Sequence, residues 1–313
     1  MDSYHGLTFF QVLWTFLTRL SHMLSGSALA TDEIQFLVLN LLSVATALVG
    51  TLSVLRRYTM MANALSHTLL IGIVLVFLFG YHSGEMEEGP LNPFQLAIAA
   101  LVGAVLTAWT VHLFTSSNKM KEDAGIGASF TFLFALGILL LTCISRNAHI
   151  GVELLIGNAD ALVEEDIVPA FLSALLAFLV FTLFSRGWKV SCFDPIFANL
   201  SGFSHKAYGA ALLLIQAFCV VVAFRSVGVV MVLGLLCLPP LIARLFCSRF
   251  KSMAIVSCGV AVLGSTLAIA LSRHLVTVYS FALSTGAMVV VLLAAIYAIS
   301  CCYKKMVLIR KKC

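Results

Sequence analysis

IQFLVLNLLSVATALVGTLSVLRRYTMMANALSHTLLIGIVLVFLFG, residues 34–80, contains one pair of charges, Arg56 and Arg57, and no other Asp, Glu, Lys or Arg. An apolar run lies on each side of that pair, over 34–55 and 58–80. As a helix rising about 1.5 Å per residue, each run is long enough to cross a hydrocarbon core about 30 Å thick. The two runs therefore read as membrane spans joined by a short basic turn.

The rest of the chain has the same character. Of 313 residues, 61% are hydrophobic and 11% charged, with a mean hydropathy of +1.06; charged residues in a soluble domain approach about a quarter. Further apolar runs bounded by charge or by Gly and Pro fall near 93–115, 125–145, 167–184, 207–224, 228–246, 253–271 and 278–301. The expected fold is an all-α polytopic membrane protein of about nine spans, within a range of about eight to ten. In the seventh run Pro239 and Pro240 would break a helix interior, and they are tolerated at depth only where neighbouring protein or a cavity receives the freed carbonyls. Residues 1–33 form an external or interfacial segment, with an interfacial helix over 7–24. Residues 34–301 are the transmembrane region and 302–313 a basic cytoplasmic tail. No basic start, clean apolar core and small-residue cleavage site open the chain, so a removed signal peptide is not expected.

Charge placement sets the orientation. Fifteen of the 19 Lys and Arg residues fall on one set of alternate connections; the others are Arg19, Arg146, Arg225 and Arg273. Cytoplasmic loops carry the excess of basic residues, so the C-terminus is expected in the cytoplasm and the N-terminus outside. All 14 acidic residues lie in loops or at helix ends, none at mid-span where a proton or sodium relay would place one. An ion-driven secondary transporter is disfavoured on that ground. The net charge of +5 does not imply a nucleic-acid partner. Nine cysteines are scattered without a C-x-x-C pair and read as small packing residues. No H-E-x-x-H, G-x-S-x-G or phosphate-loop motif occurs, so the chain is not expected to be an enzyme, and any pumping must draw energy from another subunit.

Two constellations could carry function. His67 lies about 15 Å into the second span, near the midplane, and Asn63, one helical turn earlier, shares its face. A deep imidazole needs a partner or a water-filled path. On one reading Asn63, Ser66 and His67 hydrogen-bond neighbouring helices. On the other, imidazole nitrogen and amide oxygen suit zinc, iron or manganese. Two donors are too few for a metal site, whereas a homodimer would bring two His and two Asn to one central path. The second constellation is the loop SCFDPIFANLSGF, residues 191–203. Asp194 suits an N-cap, Pro195 the first helical position and Gly202 the position just past the C-terminus, which specifies a helix of about two turns. Ile196, Phe197 and Leu200 then share an apolar face, which rests on the bilayer or bundle, or docks into a groove on a soluble partner.

Four segments in order resemble the membrane permease subunits of bacterial ABC importers for manganese, zinc and iron: LRRYTMMANALSHTLLIG (55–72), KEDAGIGASFTFLFALGILL (121–140), FDPIFANLSGF (193–203) and GVVMVLGLLCLPPLIARL (228–245). The resemblance implies a bacterial inner-membrane protein in which two permease chains, identical or related, form a central path. Two cytoplasmic ATPases would grip the coupling helices, and an external metal-binding protein or lipoprotein would dock on the outward loops. No permanent cofactor is implied; the divalent metal is cargo. Position by position, the resemblance makes His67 and Asn63 metal-path residues. It matches Asp194, Pro195 and Gly202 to the coupling segment, whose apolar face is Ile196, Phe197 and Leu200, and Ser66, Pro239 and Pro240 are expected to pack along the path. Two positions depart from the family pattern: Asn63 stands where Asp is usual, and Ile71 where Pro is usual. An amide in place of a carboxylate removes one negative charge per subunit from the path and weakens its pull on a divalent cation, so the choice among zinc, manganese and iron stays open. Rival readings are a permease for metal chelates of the siderophore or vitamin B12 type, and a non-transporting membrane scaffold.

Overall fold

In a bilayer every backbone N–H and C=O must be satisfied within the segment itself, which selects helices for charge-free runs of this length. The computed structural model describes residues 11, 30–56, 58–82, 93–117, 122–144, 159–279 and 283–310. The interfacial helix expected over 7–24 lies outside those residues, apart from Gln11. Among the described residues there is no strand, and each of the nine apolar runs is a helix: α1 (Thr31–Leu55), α2 (Thr59–His82), α3 (Pro93–Ser117), α4 (Glu122–Ile144), α5 (Ile167–Leu183), α8 (His205–Val227), α9 (Val229–Phe246), α10 (Phe250–Tyr279) and α11 (Thr285–Arg310). Two short helices, α6 (Ser185–Phe193) and α7 (Pro195–Leu200), fill the connection between α5 and α8. Seven helices are long and apolar enough to cross a membrane among the described residues, against about nine counted from sequence. The difference falls on α2 and α3, whose side chains are described only in part, and α3 contributes a shorter apolar run, Leu101–Thr115.

The chain forms two compact units. The first comprises Met1–Thr51, Asn158–Leu179 and Ser226–Cys313; the second comprises Leu52–Gly157 and Val180–Arg225. In the first, α9 packs on α10 and α11 around fully buried Leu235, Leu236, Ile269 and Leu293. The α1 backbone runs so close to α9 that a Cβ at Gly50 would collide with the Leu236 carbonyl oxygen. That carbonyl is the one Pro240 deprives of its i−4 partner, since proline has no N–H. α9 stays helical through Pro239 and Pro240, both buried, and the glycine lets the α1 backbone come close to the freed carbonyl. Polar groups link α10 to α1, through Ser265 Oγ donating to Asn40 Oδ1 at 2.9 Å and Ser257 Oγ to the Ala47 carbonyl at 3.4 Å. At the acid-bearing end, Arg273 pairs with Asp32 at 2.6 Å and donates to Gln35, while Asp160 accepts from Gln35 and Thr285.

In the second unit α2 packs against α3 and α4. Thr68 and Thr107 hydroxyls meet at 2.7 Å between α2 and α3, and Met61, Ala64, Val111 and Ile126 form a buried cluster beneath them. Lipid tails are as apolar as leucine, so close packing and interhelical hydrogen bonds of this kind, worth about 0.6–2 kcal/mol each, hold such helices together.

Candidate functional site

His67 lies in the first half of α2 and is half-buried. Its ring sits 4.9 Å from that of Phe130 and 5.4 Å, edge-on, from that of Phe134. The two phenylalanines are one turn apart on α4 and stack on each other at 6.0 Å, so α4 presents an aromatic wall to the imidazole. Asn63 and Ser66 occupy the same helix, but their side chains lie outside the described residues. Among the described residues no group of three or more His, Cys, Asp or Glu could hold a metal ion. Pro239 and Pro240 belong to the first unit and His67 to the second.

The loop helix α7 forms as its sequence dictates. Asp194 is extended at φ −140°, and its Oδ1 accepts from the backbone N–H groups of Ile196 at 3.1 Å and Phe197 at 2.9 Å. Pro195 occupies the first helical position. At the other end Gly202 takes φ +80°, and the Phe203 and Gly202 N–H groups donate back to the Ala198 and Asn199 carbonyls at 2.9 and 3.4 Å. This is a Schellman closure, which glycine adopts without a Cβ penalty. An N-cap of this kind contributes about 1 kcal/mol, and with both ends closed a six-residue helix can hold its shape. Ala198 is fully buried, while Ile196, Phe197 and Leu200 are 75%, 56% and 81% exposed. The chain's own described residues do not cover this face, which leaves the bilayer and a soluble partner as its two surroundings.

What fastens α7 was not read from the sequence. Asn199 Oδ1 accepts from the backbone N–H of His205, the first residue of α8, at 2.9 Å. The His205 imidazole lies 3.1 Å from Ser191 Oγ on α6 and 2.9–3.0 Å from Arg56 Nη2 at the end of α1. Trp188 of α6 is buried, and its ring meets Tyr208 of α8 edge-on at 5.0 Å. Burial pushes the Cys192 thiol up to about 11, against a smaller downward pull from Arg56. The signals available were a lone Asn inside α7 and a His opening α8, neither distinctive without the fold.

A profile of the ABC 3 transport family matches residues 33–304. The chain is 36% identical over 316 aligned residues to a protein of Chlamydia trachomatis serovar D named "Probable metal transport system membrane protein", covering 100% of this chain and 98% of the relative. It is 30% identical to the manganese transport system membrane protein MntB of Synechocystis, over 79% of this chain and 74% of that one. Its fold is similar to a chain in the structure of PsaBC from Streptococcus pneumoniae in complex with Fab, with a TM-score of 0.73 at 23% identity over 92% of this chain and 95% of that one.

Proposed function

The chain belongs to the ABC 3 transport family, and from that premise we propose that it is the membrane permease subunit of an ATP-driven importer carrying a divalent transition metal into a bacterial cytoplasm. The observation that carries the reading is α7: a helix capped at both ends, anchored through Asn199 and His205, and holding Ile196, Phe197 and Leu200 out of the protein. Burying three such side chains on a partner is worth about 1.5–3 kcal/mol each, which suits a surface that must grip an ATPase through a conformational cycle. The chain carries no phosphate-loop motif of its own. The names of the relatives, metal and manganese transport system membrane proteins, support a metal as cargo.

Two copies, or one copy and a related permease, would flank the path. His67 and Asn63 of each would offer nitrogen and oxygen donors in passing, and an external metal-binding protein would deliver the ion. The excess of Lys and Arg on the connections that include α6 and α7 supports a cytoplasmic position for the coupling helix and the C-terminus. Reconstitution of the permease with its ATPase and binding protein into liposomes tests the whole. ATP-dependent accumulation of radiolabelled manganese, iron or zinc salts is expected, with competition among the three giving the preference. Accumulation of only chelated metal would move the assignment to a chelate permease, and uptake driven by a pH or sodium gradient without ATP would end it.

A further inference from the structure

His205 opens α8 and is held by three neighbouring elements of the second unit. Its backbone N–H donates to Asn199 Oδ1 on α7 at 2.9 Å. Its carbonyl oxygen accepts from Nη2 of Arg56, the residue just past α1, at 3.1 Å. Its Nδ1 lies 3.1 Å from Ser191 Oγ and 3.2 Å from the Ser191 carbonyl oxygen on α6. Arg56 Nη2 is also 2.9 and 3.0 Å from the two ring nitrogens. Near-equal reach to both puts it over the ring face rather than in line with one lone pair, so the directional bond is the one to the carbonyl. The backbone of one residue is thus gripped from both sides, its N–H by α7 and its C=O by the end of α1.

The other end of this contact is equally fixed. Arg56 is buried, and its own N–H donates to the Leu52 carbonyl at 3.0 Å, while the Tyr58 N–H donates to that of Ser53 at 2.8 Å. Both bonds tie the connection to the last turn of α1. The guanidinium carbon lies 5.4 Å from the ring centroid of Tyr58, and it approaches α8 at Gly209, where a Cβ would stand 3.6 Å from Nη1. α2 begins at the next residue, Thr59, and carries His67 eight residues, about 12 Å, further along. A helix is rigid over that length, so a shift of its first turn is felt at His67.

We propose that Arg56 is a positioning residue for transport: through His205 it ties α7 to the connection between α1 and α2, so that displacement of α7 by its partner is delivered to the helix that bears His67. The proposal rests on the reading of α7 as the ATPase coupling helix and deepens it by naming the route. That route runs from Asn199 through the His205 backbone and the Arg56 side chain to the connection, and then along α2. Ser191 holds the His205 ring on α6 and so keeps the junction from turning. An arginine suits the place, because its planar fork reaches the carbonyl while stacking on the ring, and burial keeps water from competing for the bond.

The permease, reconstituted in liposomes with its ATPase and external binding protein, would be given radiolabelled manganese(II), iron(II) and zinc(II) salts separately, and metal moved per ATP hydrolysed would be measured on each assembled complex. Arg56→Gln, too short to hold the His205 carbonyl, should lower that ratio about tenfold, inside the range by which residues between two sites alter their coupling. Arg56→Lys keeps a donor of similar reach and should recover most of the loss. Because Arg56→Gln could unfold the turn, Asn199→Ala cuts the route at its other, exposed end and should lower the ratio to a similar degree. The two substitutions together should do no worse than either alone, since both break one chain of contacts. A wild-type ratio in Arg56→Gln or in Asn199→Ala, equal ratios in Arg56→Lys and Arg56→Gln, or deficits that multiply in the double variant would overturn the linkage. So would an Asn199→Ala permease that no longer binds the ATPase, which would make Asn199 part of the docking surface. A wild-type complex that accumulates none of the three metals would instead fail the permease reading on which the linkage rests.

Discussion

His67 shows what one residue can and cannot do in a bundle. Its imidazole is the deep titratable group of α2, and its described ring neighbours are Phe130 and Phe134, which offer faces and edges but no ligand atoms. If the metal passes here as proposed, its donors are the ring nitrogens, Asn63 one turn away, and whatever a second permease chain supplies. His67→Ala is expected to reduce metal uptake to background while the ATPase still co-purifies, because α7 lies elsewhere on the chain. Uptake by the variant at the wild-type rate would remove His67 from the path. A loss of ATPase co-purification alongside uptake would show instead that the ring's packing, and not its nitrogens, is what the protein needs.

At the scale of the element, α7 separates shape from surface. Phe197→Asp places a charge on the 56%-exposed apolar face without touching either cap and should abolish co-purification with the ATPase while leaving the permease melting temperature within about 1 °C of wild type. Asp194→Ala removes the acceptor for two N–H groups and should weaken the same complex by about 1 kcal/mol, roughly fivefold in Kd, through fraying of the helix rather than loss of contact. A Phe197→Asp complex that survives detergent extraction unchanged would count against docking by this face. The helix was legible in the sequence because each of its signals, Asp194, Pro195 and Gly202, acts on backbone groups within a few residues. The nine apolar runs were legible for a related reason, since a span must satisfy its own backbone and announces itself by length. The anchor was not: Arg56 and His205 are 149 residues apart, and nothing local distinguishes an arginine that will be buried from one that marks a basic loop. The same holds for Gly50, whose close approach to the Leu236 carbonyl appears only once α1 and α9 lie side by side.

For the molecule as a whole, the distribution of charge makes an orientation prediction independent of transport. A reporter fused after Cys313 should be active only in the cytoplasm, and one inserted near Glu85 only outside; the reverse pattern would invert every assignment of loops to sides. Packing makes another. Gly50→Leu forces a side chain against the α9 backbone, and overpacking of this sort costs about 1–3 kcal/mol or more, so the purified permease should melt several degrees lower. A melting temperature equal to wild type would show that α1 and α9 separate more readily than their close approach indicates. The Pro pair in α9 has one more effect. Prolines at 239 and 240 leave two successive rungs of the helical ladder unmade in the native state, so flexing α9 at that level ruptures no backbone bond that the straight helix possessed. A rod notched in this way yields at a fixed place when pushed, and its two halves can swing while each stays rigid.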